Sequence, residues 1–370
     1  MAGLYVHIPF CKSRCVYCGF YSTTLHSLRQ RYVDAVLREL ELRGDYCDRN
    51  WQTVYLGGGT PSALDGCQLE KLFAAIDCNG AKEITLECNP DDVDEGFAAL
   101  VKVLPVNRIS LGTQTFDDNR LKFLRRRHTS ADVARAVGML RRVGIENISV
   151  DLMYGFPDET LEEWDSDIDA ALQLGVEHLS AYCLMYEEGT PLWKMREEGM
   201  VTEADEELTR SMYYRLIDRL ASEGYEHYEV SNFAREGRRS IHNSSYWTGV
   251  PYMGVGAAAH SYDGKSRQWN VNDILIYINK VENGILPFTK EELDDQERYN
   301  DMVMLRLRTC EGIDLGMMER EFGSDAVEEC LRLAGKYVSS GLLKTDGCRL
   351  RLSREGWYVS DMVMSELMKV

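Results

Sequence analysis

The chain reads HIPFCKSRCVYCGFYS from His7 to Ser22, at the end of its first predicted strand. Three cysteines stand in this stretch with the spacing C-x3-C-x2-C, namely Cys11, Cys15 and Cys18. Phe20 occupies the position where a fourth cysteine would extend the series. Thiolates select zinc or iron–sulfur clusters, and structural zinc usually takes four ligands in two separated pairs. A single trio therefore favours a [4Fe–4S] cluster with one open iron over zinc completed by His7 or His26.

Short apolar runs alternate with longer helical patterns on both sides of this motif. The predicted strands are Leu4–Ile8, Thr53–Leu56, Glu83–Cys88, Arg108–Thr113, Asn147–Tyr154 and His178–Leu184. Amphipathic helices are predicted between them, for example over Leu28–Leu42 and Thr160–Leu174. Six strand–helix units predict an α/β fold with a parallel sheet, which is either open or a partial (βα)6 barrel, because a complete barrel needs eight units.

Glycine and polar residues collect directly after the predicted strands, where a parallel α/β protein places its ligands. GGGTP, from Gly57 to Pro61, allows a close approach of backbone to ligand, although a tight turn before a helix is the simpler alternative. Glu87, Gln114 and Asp151 lie on successive strands at the same predicted edge. Arg126, in LRRRHT, is a candidate to neutralise an anion there, the alternative being a solvated basic face.

Composition limits the classes of function. The chain has 370 residues, a hydrophobic content of 44% and a formal net charge of −18. This content predicts a sizeable core, and this charge argues against general attraction to nucleic acid or to an anionic membrane. The sequence contains no apolar run long enough to span a bilayer, and its first residues lack the features of a signal peptide. A cytoplasmic protein without stable membrane insertion is expected.

The strand–helix alternation weakens after about residue 230, which predicts three parts. Residues 1–230 form the barrel, residues 231–290 form an irregular region covering the site, and residues 291–370 form a small α+β domain. In the last part, two helical patterns precede a strand–turn–strand and a final helix, as in a winged-helix module. With 17 acidic and 11 basic residues from Glu291 to Val370, this domain is expected to serve packing or a partner rather than DNA.

The cysteine spacing resembles that of the radical S-adenosylmethionine (SAM) superfamily, whose three cysteines hold a [4Fe–4S] cluster with SAM on the open iron. A closer resemblance, to the coproporphyrinogen III oxidase-like branch of this superfamily, extends over nearly the whole chain and is carried by LYVHIPFCKSRCVYCGF, YLGGGTPS, SLGTQTFDDNRLKFLRRRHT and VDLMYGFPDET. It implies a partial barrel, an electron donor as a partner, and cluster ligation by Cys11, Cys15 and Cys18. The residues that it implies around SAM are Tyr5, Tyr17, Gly58, Gly59, Thr60, Glu87, Gln114, Arg126 and Asp151.

Within this superfamily the chain resembles the coproporphyrinogen III oxidase-like branch. The oxidase type carries a fourth cysteine and an N-terminal arm before the motif, whereas this chain has Phe20 and only ten residues before Cys11. HNSSYW, from His242 to Trp247, matches the H-N-x-x-Y-W motif of the HemW-type heme chaperones in the same branch. Both features favour the chaperone type.

The chaperone resemblance implies heme binding and delivery of heme to acceptor hemoproteins, such as respiratory ones, without coproporphyrinogen oxidase activity. His242 is then a candidate axial ligand, since imidazole coordinates heme iron, and Tyr246 and Trp247 could cover the macrocycle. A hydrogen-bonded structural role is the alternative for His242, and His260 is a weaker candidate ligand. The alternative function is that of an oxygen-independent coproporphyrinogen III oxidase, which decarboxylates its substrate oxidatively.

Overall fold

The computed structural model describes residues 2–44, 46 and 49–369. The parallel strands of the first half are β1 (Ala2–Ile8), β2 (Trp51–Gly58), β3 (Glu83–Cys88), β4 (Arg108–Gln114), β5 (Asn147–Tyr154) and β6 (His178–Cys183). The helices between them are α1 (Arg29–Leu42), α2 (Gly66–Ala75), α3 (Glu95–Val103), α4 (Asp118–Phe123), α5 (Ser130–Arg142) and α6 (Leu161–Gln173). These strands are neighbours in chain order, and β1 does not pair with β6, which confirms the predicted partial (βα)6 barrel.

Side chains alternate along each of these strands between two faces of the sheet. Residues of the apolar face pack with the helices in the main core, among them Leu4, Val6, Val54, Leu56, Ile84, Leu86, Ile109, Leu111, Ile148 and Val150. The opposite, concave face is polar on every strand and includes Tyr5, His7, Thr53, Tyr55, Thr85, Glu87, Arg108, Ser110, Ser149, Asp151, His178 and Ser180. The interior of the barrel is therefore a polar surface.

Further elements follow β6 and extend the sheet at both of its edges. They are α7 (Pro191–Glu197), α8 (Glu206–Ser222), β7 (Glu226–Glu229), β8 (Asn232–Ala234), α9 (Ile241–Trp247), β9 (Tyr252–Val255), β10 (His260–Tyr262), β11 (Ser266–Asn270), α10 (Ile274–Glu282) and β12 (Phe288–Glu292). β8 pairs antiparallel with β6, and β9 pairs parallel with β1. Residues 231–290 were predicted to be irregular, but they contain several short strands. The sequence did not reveal these strands, because three to five residues are too few to show a period.

The C-terminal part is a small α+β unit, as the sequence predicted. Its elements are α11 (Asp295–Leu307), β13 (Ile313–Asp314), α12 (Leu315–Phe322), α13 (Ser324–Ser339), β14 (Leu343–Thr345), β15 (Arg349–Leu352), α14 (Arg354–Tyr358) and α15 (Ser360–Leu367). The strands form an antiparallel sheet in the order β13-β15-β14. Its buried residues belong to the same apolar core as those of the barrel, so the two parts pack together.

None of the helices in the described part of the chain combines the length and the apolar character that a bilayer crossing requires.

Candidate functional site

A cavity of about 910 Å³ opens at the carboxyl ends of the parallel strands. Its volume is at the upper end of the range of roughly 300–1,000 Å³ that small-molecule sites occupy. The structure brings together, in the lining of this cavity, the predicted site residues Tyr5, Cys11, Cys15, Tyr17, Cys18, Gly58, Gly59, Thr60, Glu87, Gln114, Arg126 and Asp151. His242 is not among the lining residues.

The loop that carries the three cysteines is fixed at its ends and at its middle. Phe10 and Thr23 form a β-bridge at the two ends. Midway, the amide of buried Val16 donates to the carbonyl of Leu124 over 3.3 Å, and the amide of Leu192 donates to the carbonyl of Val16 over 2.9 Å. Contacts within the polypeptide therefore set the shape of this loop.

The three cysteines of this loop are half-buried, and all of them line the cavity. Among the described residues, no three His, Cys, Asp or Glu side chains converge closely enough to hold a single ion. Burial raises the pKa of Cys11, and it raises the pKa of Cys18 to about 11. Arg126 donates from Nη1 to the Sγ atom of Cys15 over 3.4 Å. Because burial favours neutral thiols at Cys11 and Cys18, thiolates there need added positive charge, which bound iron supplies.

Arg126 differs from the arginines on either side of it. Its Nη2 atom donates to Asn89 Oδ1 and to the carbonyl oxygen of Gly112, each over 2.6 Å, and it is half-buried. Arg127 pairs with Asp91 and Asp92, and Arg125 is exposed. The alternative of a solvated basic face therefore describes Arg125, whereas Arg126 is a fixed cation in the cavity wall.

The GGGTP segment is held close to the first strand and to Glu87. Gly58 has a φ of 111°, and its amide donates to Glu87 Oε2 over 3.0 Å. The amide of Gly59 donates to the carbonyl of Ile8 over 2.9 Å. A Cβ atom on Gly59 would press against the backbone of Ile8 and Pro9. Thr60 is buried, and its hydroxyl lies 3.7 Å from the Sγ atom of Cys11. The segment thus packs tightly behind the cysteine loop.

Two carboxyl groups lie side by side in the concave face. Glu87 accepts a hydrogen bond from the hydroxyl of Tyr55 over 2.7 Å, and burial raises its pKa to about 7, with a further contribution from nearby Asp151. Burial also raises the pKa of Asp151, although the hydroxyl of Ser110 lies 3.4 Å from one of its oxygens. These groups offer hydrogen-bond acceptors to a ligand in the cavity, and Glu87 exchanges its proton near neutral pH.

Gln114 ends β4 at an irregularity in the sheet. The register between β4 and β5 shifts between Leu111 and Gln114, and Gln114 has a φ of 71°, which side-chain-bearing residues seldom adopt. Such bulges occur next to functional sites, where they redirect a side chain. This one places the buried Gln114 amide in the cavity lining.

The two predicted tyrosines occupy different surroundings. The Tyr5 hydroxyl donates to Nδ1 of His7 over 3.0 Å when that nitrogen is unprotonated, which places Tyr5 within the polar concave face. Tyr17 packs beside a small apolar cluster that contains Val16 and Met153. Burial raises the pKa of both tyrosines, so each hydroxyl stays neutral. The proton of the Tyr5 hydroxyl is already used in the bond to His7.

His242 lies inside the barrel, away from the cavity lining. It is 1% exposed, its ring stacks 4.9 Å from that of Tyr55, and burial lowers its pKa to about 3. Its Nδ1 and Nε2 atoms are hydrogen bonded to the hydroxyls of Thr53 and Tyr246, each over 2.8 Å. This arrangement fits the alternative of a structural histidine, because iron coordination would require one of these bonds to break. His260 is exposed on β10 and does not line the cavity.

Sequence reasoning missed several polar residues that build this site. His7 bonds the carbonyl of Tyr21 through Nε2 over 3.1 Å, and Tyr55 holds Glu87. Arg108 is buried in the concave face, with Nε and Nη1 lacking hydrogen-bond partners among the described residues. It helps to offset the negative charge of the buried carboxyl groups. The sequence pattern that could have predicted these residues is a polar residue at every second position of each strand.

The chain is similar to known protein families and to individual proteins. Residues 5–171 match the radical SAM superfamily, and residues 293–359 match the HemN C-terminal domain. A protein named heme chaperone HemW from Lactococcus lactis is 32% identical over 98% of this chain and 96% of its own length. A protein of the same name from Bacillus subtilis is 33% identical, with 96% of each chain covered.

A solved structure has the same fold over the full length of the chain. It is the coproporphyrinogen III oxidase (HemN) from Escherichia coli, a radical SAM enzyme, with a TM-score of 0.86 at 21% identity, covering 100% of this chain and 90% of that one. At this identity the likeness concerns the fold alone. The identity to the chaperones, in contrast, is higher and extends over nearly the whole chain. The chain therefore belongs to the HemW family of the radical SAM superfamily.

Proposed function

We propose that this protein is a heme chaperone, which binds heme together with a SAM-liganded [4Fe–4S] cluster and delivers heme to acceptor hemoproteins such as those of respiration. The observation that carries the proposal is the identity of 32–33% to proteins named heme chaperones over nearly the whole chain. The delivery step requires acceptor proteins, and reduction of the cluster requires an electron donor.

The residues present fit a cluster held by three cysteines. Cys11, Cys15 and Cys18 lie on one fixed loop, are half-buried and line the cavity. The cluster iron that is not bound by a cysteine would therefore face the cavity, where a small molecule such as SAM could bind it. Phe20 offers no ligand at the fourth position. When bound, the cluster supplies one-electron chemistry. The chain contributes the thiolates, and Arg126, which donates to Cys15, contributes a compensating charge.

SAM is proposed to lie beside the cluster loop, against the GGGTP segment. Gly58 and Gly59 belong to the cavity lining there, and their packing against the first strand sets the position of the segment. Glu87 and Asp151 provide acceptors for the amino and hydroxyl groups of such a ligand, and the Gln114 amide can both donate and accept. These roles follow the superfamily resemblance, and the shared cavity lining is what supports them.

Heme is proposed to enter the outer part of the same cavity. Phe20, Tyr182 and Met185 belong to its lining, yet their side chains are 71%, 43% and 62% exposed. Large apolar side chains at a cavity are a favourable surface for a flat apolar macrocycle, since covering one fully contributes about 1.5–3 kcal/mol. Phe20, at the position of the fourth cysteine, would thus provide apolar surface for contact with heme. This proposal does not require ligation by His242.

The test is to incubate anaerobically reconstituted protein with heme and, separately, with coproporphyrinogen III, SAM and a reductant. We expect heme to bind at about one per chain without added substrate, and coproporphyrinogen III to remain unchanged. Phe20→Ala should weaken heme binding while the iron content stays at the wild-type level. Catalytic release of decarboxylated, vinyl-bearing product would overturn the proposal and establish the oxidase function instead.

A further inference from the structure

Arg308 lines the same cavity from the side of the C-terminal part. It directly follows α11, and its backbone is joined to the edge of the barrel. The amide of Val230 donates to the carbonyl of Arg308 over 3.1 Å, and Thr309 forms a β-bridge with Glu229. The position of the Arg308 backbone is therefore set by the barrel, and its side chain belongs to the ligand cavity.

The guanidinium of Arg308 has unused hydrogen-bonding capacity. Its Nε atom is buried without a partner in the described part of the chain, and the side chain as a whole is 30% exposed. Its ion pair with Asp361 has an N–O distance of 3.8 Å, longer than the roughly 2.7–2.9 Å of a charge-assisted hydrogen bond, and Asp361 is 89% exposed. Since burying donors without partners is unfavourable, the site is suited to an added acceptor.

Trp247 holds this guanidinium from one side. The Cζ atom of Arg308 lies 5.4 Å from the centre of the Trp247 ring, within the range of a cation–π contact. Trp247 ends α9, which is fixed to the barrel because Glu83 accepts the amides of Ile241 and His242 over 2.9 and 2.8 Å. The HNSSYW segment thus connects the barrel interior to Arg308, a link that its sequence does not reveal.

The other arginines next to the cluster loop are arranged differently. Both terminal nitrogens of Arg126 are used, on Asn89, Gly112 and Cys15, so that only its Nε lacks a partner in the described part of the chain. Arg127 pairs with acidic residues. Arg308 combines a place in the cavity wall, an aromatic support and a buried donor without a partner. A ligand that matches it carries a carboxylate at the edge of an apolar body, since the cavity also presents Phe20 and Tyr182.

We infer that Arg308 binds a propionate carboxylate of the tetrapyrrole, and that Trp247 is the residue that positions it. The inference rests on the proposed function, because heme is a flat apolar macrocycle with two propionates. It gives the HNSSYW segment a role that does not involve iron. Binding is non-covalent, and the guanidinium replaces its weak contact with Asp361 by hydrogen bonds to the propionate.

The experiment compares heme with heme dimethyl ester, in which both carboxylates are blocked. Wild-type protein should bind heme roughly tenfold more tightly than the ester, the ratio expected for a charged hydrogen bond in a partly exposed site. Arg308→Gln should lower the affinity for heme to that for the ester, and Arg308→Lys should restore part of the preference. Arg332→Gln is the control, because Arg332 is an exposed arginine of α13 paired with Glu329.

Three further variants, at Asp361 and Trp247, separate positioning from folding. Asp361→Asn should strengthen heme binding, because it removes a carboxylate that competes for Arg308, and a damaged fold would not produce a gain. Trp247→Leu should reduce the preference for heme over its ester, whereas Trp247→Phe should retain most of it by preserving an aromatic face. Iron content and circular dichroism of each variant should match those of wild type.

The outcomes are distinguishable. If wild type binds neither heme nor its ester, the proposed function and this inference both fail. If wild type binds heme but shows no preference over the ester, or if Arg308→Gln keeps the preference, the inference alone is refuted and the chaperone function stands.

Discussion

Gly58→Ala should destabilise the protein before any ligand is considered. A Cβ atom built on Gly58 would lie well inside 3.0 Å of Cε1 and Nδ1 of His7, and the φ of 111° is strained for any side-chain-bearing residue. The sequence suggested that glycine stands here to let a ligand approach. The structure shows that the nearest neighbour of this position is a histidine of β1, so glycine is required by the fold itself.

The expected cost follows from two contributions. The unfavourable backbone conformation contributes about 1–3 kcal/mol. Displacing His7 breaks its hydrogen bonds to the Tyr5 hydroxyl, at 3.0 Å, and to the Tyr21 carbonyl, at 3.1 Å, each worth about 1 kcal/mol net. The sum is about 3–5 kcal/mol, a large share of the 5–15 kcal/mol by which domains are usually stable.

Urea unfolding of the ligand-free protein measures this cost, and a double-mutant cycle identifies its origin. In a His7→Ala background the new methyl group has space, so Gly58→Ala should cost only its backbone contribution there. The coupling free energy between the two positions should then be about 2 kcal/mol. Additive effects of the two substitutions would refute the steric reasoning and return Gly58 to a purely ligand-related role.

Three further predictions concern other parts of the site. Replacing Cys11, Cys15 and Cys18 together by alanine should abolish iron–sulfur absorption after reconstitution, and a triple variant that still assembles a full four-iron cluster would contradict the assignment. Burial raises the pKa of Glu87 from 4.5 to about 7, so this group stabilises the fold most below pH 4.5 and the contribution is lost as pH rises to about 7. Glu87→Gln should therefore reduce the fall in unfolding free energy between pH 4.5 and 7 by up to about 3 kcal/mol. The measurement is urea unfolding at several pH values, and an equal change of unfolding free energy with pH in variant and wild type would exclude this. His242→Ala should destabilise the heme-free protein by about 2–4 kcal/mol, because it removes two buried hydrogen bonds and leaves a cavity. Unchanged denaturant unfolding would rule out the structural role of this histidine.

The sequence was sufficient for the barrel because its local signals agree with the global fold. The predicted strand at Asn147–Tyr154 has the bounds of β5, and the one at Glu83–Cys88 has those of β3. A buried parallel strand is marked by its apolar run, and the glycine or polar residue that ends the run also marks the ligand edge. For this reason the cluster loop and all of the predicted SAM residues meet in one cavity.

Long-range pairing explains what the sequence did not reveal. β9 joins β1 across about 250 residues of chain, and a four-residue strand such as Tyr252–Val255 has too few positions to show alternation. The place of His242 depends on how α9 enters the barrel, which is set by contacts with Glu83 and Thr53 on distant strands. Neither the pairing of β9 nor the direction of α9 has a local signature. The proposed divisions at residues 230 and 290 remain predictions.

The attachment of the cysteine loop at Val16 bears on how the protein survives loss of its iron. Oxidation readily damages exposed iron–sulfur centres, and in many small metalloproteins the polypeptide unfolds when the metal leaves. Here the backbone of Val16 is bonded to Leu124 on one side and to Leu192 on the other, so the loop is ordered by the chain itself. A protein stripped of its cluster should therefore keep the backbone of this loop folded, ready for reassembly. Inactivation by oxygen should then be a reversible state, repaired by iron, sulfide and reductant without refolding.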